Sequence, residues 1–324
     1  MDTYLVTGAA GFIAYRVCEM LLVRGDRVVG IDNFCEDYDL AVKHWRVAQL
    51  SQFDAFTLHH GDVADMTAVQ QAVGDHDIKA VINLAARAGV RASVIDPWAF
   101  VQTNMVGTLN LLEICRQKGI KKFILASTSS AYGANVPTPT SENADSSRPL
   151  QPYAASKIGA EAMCHAYHFL HGIDVTIFRY FTVYGPAGRP NQAMFRFVQW
   201  IAEDQPVILY GDGEQTRGFT YLDDIARGTI AGLKPLGFEL INLGGHEVIS
   251  VNALIQMMEE KIGKKANIVR KQAHPADMLT NQADVSKAKS LLDWQAETSL
   301  SDGVQDLIDW YYAERDWAKQ VKTL

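Results

Sequence analysis

Short β-branched runs alternate with stretches of helical period along this chain, and that alternation limits the fold more than any other feature. Tyr4-Leu-Val-Thr7, Val28-Val-Gly-Ile31, Phe56-Thr-Leu58, Ala80-Val-Ile-Asn-Leu84, Phe123-Ile-Leu-Ala126 and Val175-Thr-Ile-Phe178 read as strands. Glu239-Leu-Ile-Asn-Leu243 reads as a seventh. Between them, residues 13–23, 105–118 and 154–171 carry apolar side chains at helical spacing. Continuously apolar strands with helices between them predict an α/β fold: a doubly wound parallel sheet buried on both faces. After Arg179 the texture changes, with turn-rich Tyr184-Gly-Pro186, Gly188-Arg-Pro-Asn191 and Tyr210-Gly-Asp-Gly213. We expect a first domain over residues 1–179, rejoined by 220–243 as helix plus strand. A smaller α/β lobe would hold residues 180–219 and 244–324.

Composition excludes several classes of function. The 324 residues are 48% hydrophobic, enough for one large core or two smaller ones. The formal net charge is -7 and no Lys/Arg block stands out, so no nucleic acid is expected as a partner. No apolar run approaches the roughly 18 residues of a membrane span. The first strand begins within five residues, without a basic and apolar leader, the pattern of a cytoplasmic protein. Cys18, Cys35, Cys115 and Cys164 are far apart and form no Cys-x-x-Cys or Cys/His cluster, so no metal is expected. Three of them fall in apolar helical stretches and read as buried thiols.

Thr7-Gly-Ala-Ala-Gly-Phe-Ile-Ala14 follows the first strand and opens a helix. Gly8 and Gly11 let the backbone approach a pyrophosphate, and the helix start at Phe12 and Ile13 offers N–H donors and positive potential. The bland alternative is a glycine turn that merely joins strand to helix. Asp32 and Asn33 close the second strand, with Asp32 24 residues after Gly8. A carboxylate there binds both ribose hydroxyls and repels a 2′-phosphate, so NAD is favoured over NADP. Asp62 and Val63 follow the third strand, and Leu84, Ala85 and Ala86 the fourth; both places face the dinucleotide crevice of a doubly wound sheet. Asp62 is a candidate adenine ligand or a helix cap, and the two roles are compatible.

Thr128 lies in Ala126-Ser-Thr-Ser-Ser-Ala-Tyr132, with Tyr153 and Lys157 in Pro152-Tyr-Ala-Ala-Ser-Lys157. A phenol and an ammonium four residues apart share one helix face. The cation favours the phenolate, so the tyrosine is expected below its usual value of about 10. Such a phenol can take a proton from an alcohol whose carbon gives a hydride to a nicotinamide. The pair by itself could equally be an exposed helix pair worth a few tenths of a kcal/mol.

Gly8-x-x-Gly11, Asp32, Asp62, Leu84-Ala-Ala86, Asn104 and the Thr128/Tyr153/Lys157 set together resemble the extended short-chain dehydrogenase/reductase family (NAD-dependent epimerases and dehydratases) over nearly the whole chain. The resemblance implies a Rossmann domain binding NAD, with Asn104 in its site, and a C-terminal lobe binding a UDP-sugar. It also implies a homodimer formed through helices near residues 104–118 and 153–171. Within that family the chain is most similar to the UDP-glucuronic acid 4-epimerases. The similarity rests on the acidic, Tyr-rich segment 32–39, on Ala88-Gly-Val-Arg91, and on Arg179-Tyr-Phe-Thr-Val-Tyr-Gly-Pro186 with Gly188-Arg-Pro190.

That group's substrate carries a carboxylate at C6. Thr128, Ser129, Ser130 and Thr182 offer a hydroxyl-rich wall for it, though helix or turn capping is the plain alternative for each serine. Decarboxylating relatives carry glutamate where Ser130 stands, dehydratases an Asp-Glu pair after the threonine, and epimerases of neutral sugars often Asn at Thr182. The resemblance further implies Arg189 and Arg217 on the diphosphate, Tyr210 stacked on uracil, Gln192 on the uridine side and Asp277 near the uridine ribose. Surface salt bridges and ordinary packing are the alternatives. Arg91 is a candidate for holding the carboxylate.

The expected chemistry is C4 epimerisation of UDP-glucuronate through a 4-keto sugar, with Tyr153 as base. Lys157 lowers its pKa and binds the nicotinamide ribose, and Thr128 orients O4. The alternatives are a UDP-glucose/UDP-galactose 4-epimerase, a UDP-glucuronate decarboxylase and a non-catalytic NAD-binding protein. The chain departs from the family at Ala14, Tyr15-Arg16, Asn191, Gln192 and Gly218.

Overall fold

All seven expected strands lie in one parallel sheet of the computed structural model, which describes residues 1–134, 136–272 and 280–323. They are β1 (Thr3–Thr7), β2 (Arg27–Asp32), β3 (Phe56–His60), β4 (Ile78–Asn83), β5 (Lys122–Thr128), β6 (Asp174–Tyr180) and β7 (Phe238–Leu243). Their order across the sheet is β7-β6-β5-β4-β1-β2-β3. Every pairing is parallel, and Val6 of β1 sits between Gly30 of β2 and Ile82 of β4.

Burial explains why these strands lack polar alternation. Tyr4, Val6, Val28 and Ile82 pack into one apolar layer, and Leu5, Val29, Ile31 and Val81 into the layer on the opposite face. Both faces are covered by helices, so both sets of side chains must be apolar. Each fully buried aliphatic side chain contributes about 1.5–3 kcal/mol.

The chain order reverses between β1 and β4, and the crevice that opens there, at the strands' C-terminal ends, is where such sheets bind ligands. Helix α1 (Phe12–Val23) starts at that point. Ala14 is buried, so a methyl replaces the usual glycine without loss of packing. Arg16 is also explained. Its Nε and Nη2 reach the two oxygens of Asp223 at 2.7 and 2.6 Å, tying α1 to the helix Leu222–Ala231 that precedes β7.

The remaining elements gather around a third apolar cluster, including Trp200, Leu254, Met258, Leu307 and Tyr311. It joins helices Ala193–Ala202, Val251–Ile262 and Leu300–Ala313 to the parallel pair Pro206–Tyr210/Asn267–Lys271. Thr216–Gly218 pairs antiparallel with Val248–Ser250. Cys18, Cys115 and Cys164 are buried thiols, as expected, and burial pushes each thiol's pKa up. Among the described residues, no helix is long and apolar enough to cross a membrane, and no cluster of His, Cys, Asp and Glu could hold a metal.

Candidate active site

A cavity of about 790 Å³ runs from the glycine turn to Tyr210 and Arg217, beside the third apolar cluster. It is lined by Gly8, Gly11, Phe12, Ile13, Asp32, Asn33, Asp62, Val63, Leu84, Ala85 and Ala86. Thr128, Ser129, Ser130, Tyr153, Lys157, Thr182, Arg189, Gln192, Tyr210, Arg217 and Arg91 line it as well. Of the residues expected from sequence, Asn104 stands behind the wall and Asp277 lies outside the described residues.

The glycine turn has the form a pyrophosphate requires. Gly8 has φ +67, and a Cβ there would meet the Ala85 Cα at 2.8 Å. A Cβ on Gly11 would meet the Gly8 carbonyl oxygen at 2.7 Å. Gly11 caps α1 without any side-chain bond, so the first helical N–H groups face the cavity unblocked by a capping side chain. Asp32 accepts from Ala10 N at 3.1 Å and Phe34 N at 2.8 Å, and Lys43 Nζ lies 3.4 Å from it. That buried lysine was not anticipated from the sequence. Asn33 donates to Asp62 at 2.7 Å, while Asp62 accepts from Ala64 N at 2.8 Å. The helix cap falls to Asp65 instead, leaving Asp62 turned toward Asn33.

Tyr153, Lys157 and Glu161 form one stripe along the helix Pro152–His171. Glu161 takes both Arg179 of β6, at 3.0 and 2.6 Å, and the hydroxyl of Ser127 of β5. The Arg179 guanidinium also covers the Tyr132 ring at 4.5 Å. Lys157 Nζ donates to the Ala126 carbonyl at 2.8 Å. Asn104, in a π-helical turn over Gln102–Val106, bonds the Arg87 backbone on both sides and donates to Ser156 Oγ at 2.9 Å. Ser156 in turn donates to the Tyr153 carbonyl at 2.8 Å. Asn104 therefore acts from the second layer, fixing the helix turn that carries the tyrosine.

One expectation is corrected. Burial holds the Tyr153 phenol above its usual value, opposed by the Thr128 hydrogen bond and the Arg189 charge. Lys157 does not lower it in the protein alone. Burial pushes the lysine itself down to about 8 against the pull of Glu161, and its ammonium points at a carbonyl. Between about pH 8 and 10.5 the unfolded chain holds this proton more tightly, so folding gains stability as pH rises. The Tm of the wild type relative to Lys157→Met should increase across that window; a flat or falling difference in thermal melts would contradict it.

Arginines crowd the other end of the cavity. Arg189 donates to the Ala88 carbonyl at 3.0 Å and lies over the Tyr38 ring, with its buried Nε unpartnered. Arg91 covers the Tyr210 ring at 4.7 Å, which groups it with the expected uracil side. Arg196, which nothing in the sequence distinguished from any helical arginine, also lines the cavity with a buried, unpartnered Nε. Asn281 was missed too, and its amide donates to Ser129 Oγ at 3.3 Å. Arg46, fully buried, joins the two ends. It donates to the Ala10 carbonyl at 2.9 Å, the Ala187 carbonyl at 2.7 Å and the Tyr38 hydroxyl at 2.8 Å.

A doubly wound sheet with a bare helix start, a carboxylate at the end of its second strand and a Tyr/Lys pair in one cavity defines a dinucleotide-binding oxidoreductase-type site. The pattern of the NAD dependent epimerase/dehydratase family matches residues 4–244, and the chain belongs to that family. A UDP-glucuronate 4-epimerase of Thermodesulfobacterium geofontis is 49% identical over 323 residues, 99% of this chain and 100% of the relative. The crystal structure of a Bacillus cereus UDP-glucuronic acid 4-epimerase with UDP-glucuronic acid and NAD superposes with a TM-score of 0.89. It is 38% identical, covering 96% of this chain and 99% of that one. A Thermotoga maritima UDP-glucose 4-epimerase with UDP-glucose also gives 0.89, at 29% identity, covering 97% and 99%.

Proposed function

We propose that this protein interconverts UDP-glucuronate and UDP-galacturonate by inverting C4 through a transient 4-keto sugar. The observation that carries the reading is the sign of the cavity wall. Among the described lining residues the acids are Asp32, Asp37 and Asp62, at the end of β2 and on the loops that follow β2 and β3. The same wall carries the hydroxyls of Thr128, Ser129, Ser130 and Thr182, and it also holds Arg91, Arg189, Arg196 and Arg217. Such a wall suits an anionic sugar on a diphosphate, and it offers no carboxylic acid to expel water.

Tyr153 removes the O4 proton, and Thr128, bonded to the phenol, orients O4. Bound NAD supplies the acceptor, and then the donor, of the C4 hydride. Lys157 would hold the nicotinamide ribose. The keto sugar turns about its diphosphate, Tyr153 returns the proton, and nothing is consumed. Gly8, Gly11, Phe12, Ile13, Asp32, Asn33, Asp62, Val63 and Leu84–Ala86 hold the dinucleotide in this reading. Arg189, Arg196 and Arg217 grip the diphosphate, and Tyr210, Arg91 and Gln192 take the uridine.

The division at residue 179, with 220–243 returning to the first domain, belongs to the same proposal, and the strand Phe238–Leu243 beside β6 supports it. So does a homodimer through Gly107–Lys118 and Pro152–His171, supported by the exposed Phe169 and Leu170; light scattering at the monomer mass would refute it. Four free cysteines suit a reducing cytoplasm.

Purified protein given UDP-glucuronate without added NAD should form UDP-galacturonate, resolved by chromatography. Turnover of UDP-glucose alone would overturn the acid-sugar reading.

A further inference from the structure

Residues 280–284 form a strap held between Gly218 and Thr140, and its Asn281 lines the cavity beside the hydroxyl wall. Gly218 N donates to the Asn281 carbonyl at 2.8 Å. Thr140 N donates to the Gln282 carbonyl at 2.9 Å, and Asp284 N to the Thr140 carbonyl at 2.9 Å. The hydroxyls of Thr216 and Thr280 meet at 3.0 Å. Two glycines make room for it. A Cβ on Gly244 would meet the Ala283 Cβ at 2.3 Å, and one on Gly218 would press on the Asn281 and Gly245 carbonyl oxygens at 3.3 and 3.4 Å. At Gly218, where the chain departs from the family, a side chain would crowd the backbone that carries Asn281.

The strap fixes the Asn281 amide in the cavity wall, donating to Ser129 Oγ at 3.3 Å. Ser129 adjoins Thr128, which bonds Tyr153, so this pair flanks the carbon that reacts. We propose that Asn281 is a specificity-determining residue whose amide, with the Ser129 hydroxyl, receives the carboxylate of the hexuronate. The proposal rests on the acid-sugar reading above. A carboxylate only accepts hydrogen bonds, and both groups here can donate. A charged acceptor gains more from such donors than a neutral hydroxymethyl does. Asparagine adds them without a cation that would bind the sugar too tightly to turn.

The test compares kcat/KM for UDP-glucuronate with that for UDP-glucose, the latter read as substrate or competitive inhibitor. In Asn281→Asp the preference for the acid sugar should fall about 10- to 100-fold, mainly through KM. Affinity for UDP alone should stay within about twofold, which separates the effect from misfolding. Asn281→Ser, which keeps a donor, should retain most of the preference. If Asn281 only props Ser129, aspartate can accept from that hydroxyl, and both sugars change alike. An unchanged preference in the aspartate variant, or an equal loss for both sugars, overturns the proposal. A wild type that ignores UDP-glucuronate would instead sink the reading it rests on.

Discussion

Tyr153→Phe should lower kcat about 10²- to 10⁴-fold, the usual contribution of a positioned base, while UDP binds as before. The substitution removes one oxygen from the phenol that lines the cavity between Thr128 and the sugar end. Thr128 then loses the phenol and keeps the Ser130 N–H at 3.1 Å, and the described lining acids, Asp32, Asp37 and Asp62, lie at the end of β2 and on the loops after β2 and β3. The ring keeps its edge contact with Phe100, with centroids 5.9 Å apart, so the helix should stay in place. Chromatography of the two uronates measures the rate and calorimetry with UDP measures binding. A rate within threefold of wild type would remove Tyr153 from the chemistry. Burial holds the phenol's pKa up in the protein alone. Activity should therefore climb toward alkaline pH, and a profile that is flat or falls from about pH 7 to 9 would contradict it.

Arg179→Met should destabilise the fold by about 3–5 kcal/mol, the usual effect of breaking a buried pair from one side. Glu161 is buried and, once Arg179 is gone, keeps only the Ser127 hydroxyl and the neighbouring lysine. The stranded carboxylate would then pull harder on Lys157 and raise its pKa from about 8. Adding Glu161→Met should return much of the lost Tm, because two apolar side chains replace a pair instead of leaving half of one. A single variant that melts like the wild type, or a double variant that melts below the single, would contradict this.

The sheet was legible because its strands are apolar on both faces, and the glycine turn because only glycine fits where the Ala85 backbone comes within 2.8 Å of a Cβ. Tyr153, Lys157 and Thr128 stood out through the family resemblance, since their spacing alone fits an exposed helix pair equally well, and all three line the cavity. What escaped depends on contacts between distant segments. Val183–Tyr184 and Thr216–Gly218 are two and three residues long, too short to show a period. Arg196 sits in an amphipathic helix like any other arginine, and its role shows only in a nitrogen buried without a partner. Asn281 reaches Ser129 across 152 positions of sequence. The Tyr153 pKa was misjudged for a related reason: spacing gives the neighbour on the helix, whereas the depth of burial comes from everything packed around it.

The buried Arg46 bears on how a sugar can turn over accurately. One guanidinium grips the Ala10 carbonyl in the glycine turn and the Ala187 carbonyl two residues before Arg189. Two separately held anchors would wobble against each other by the sum of their motions. Clamped to one bolt, the glycine turn and the segment that carries Arg189 share a single frame, so in the proposed reaction the axle of the sugar and the plate it turns toward would keep one spacing.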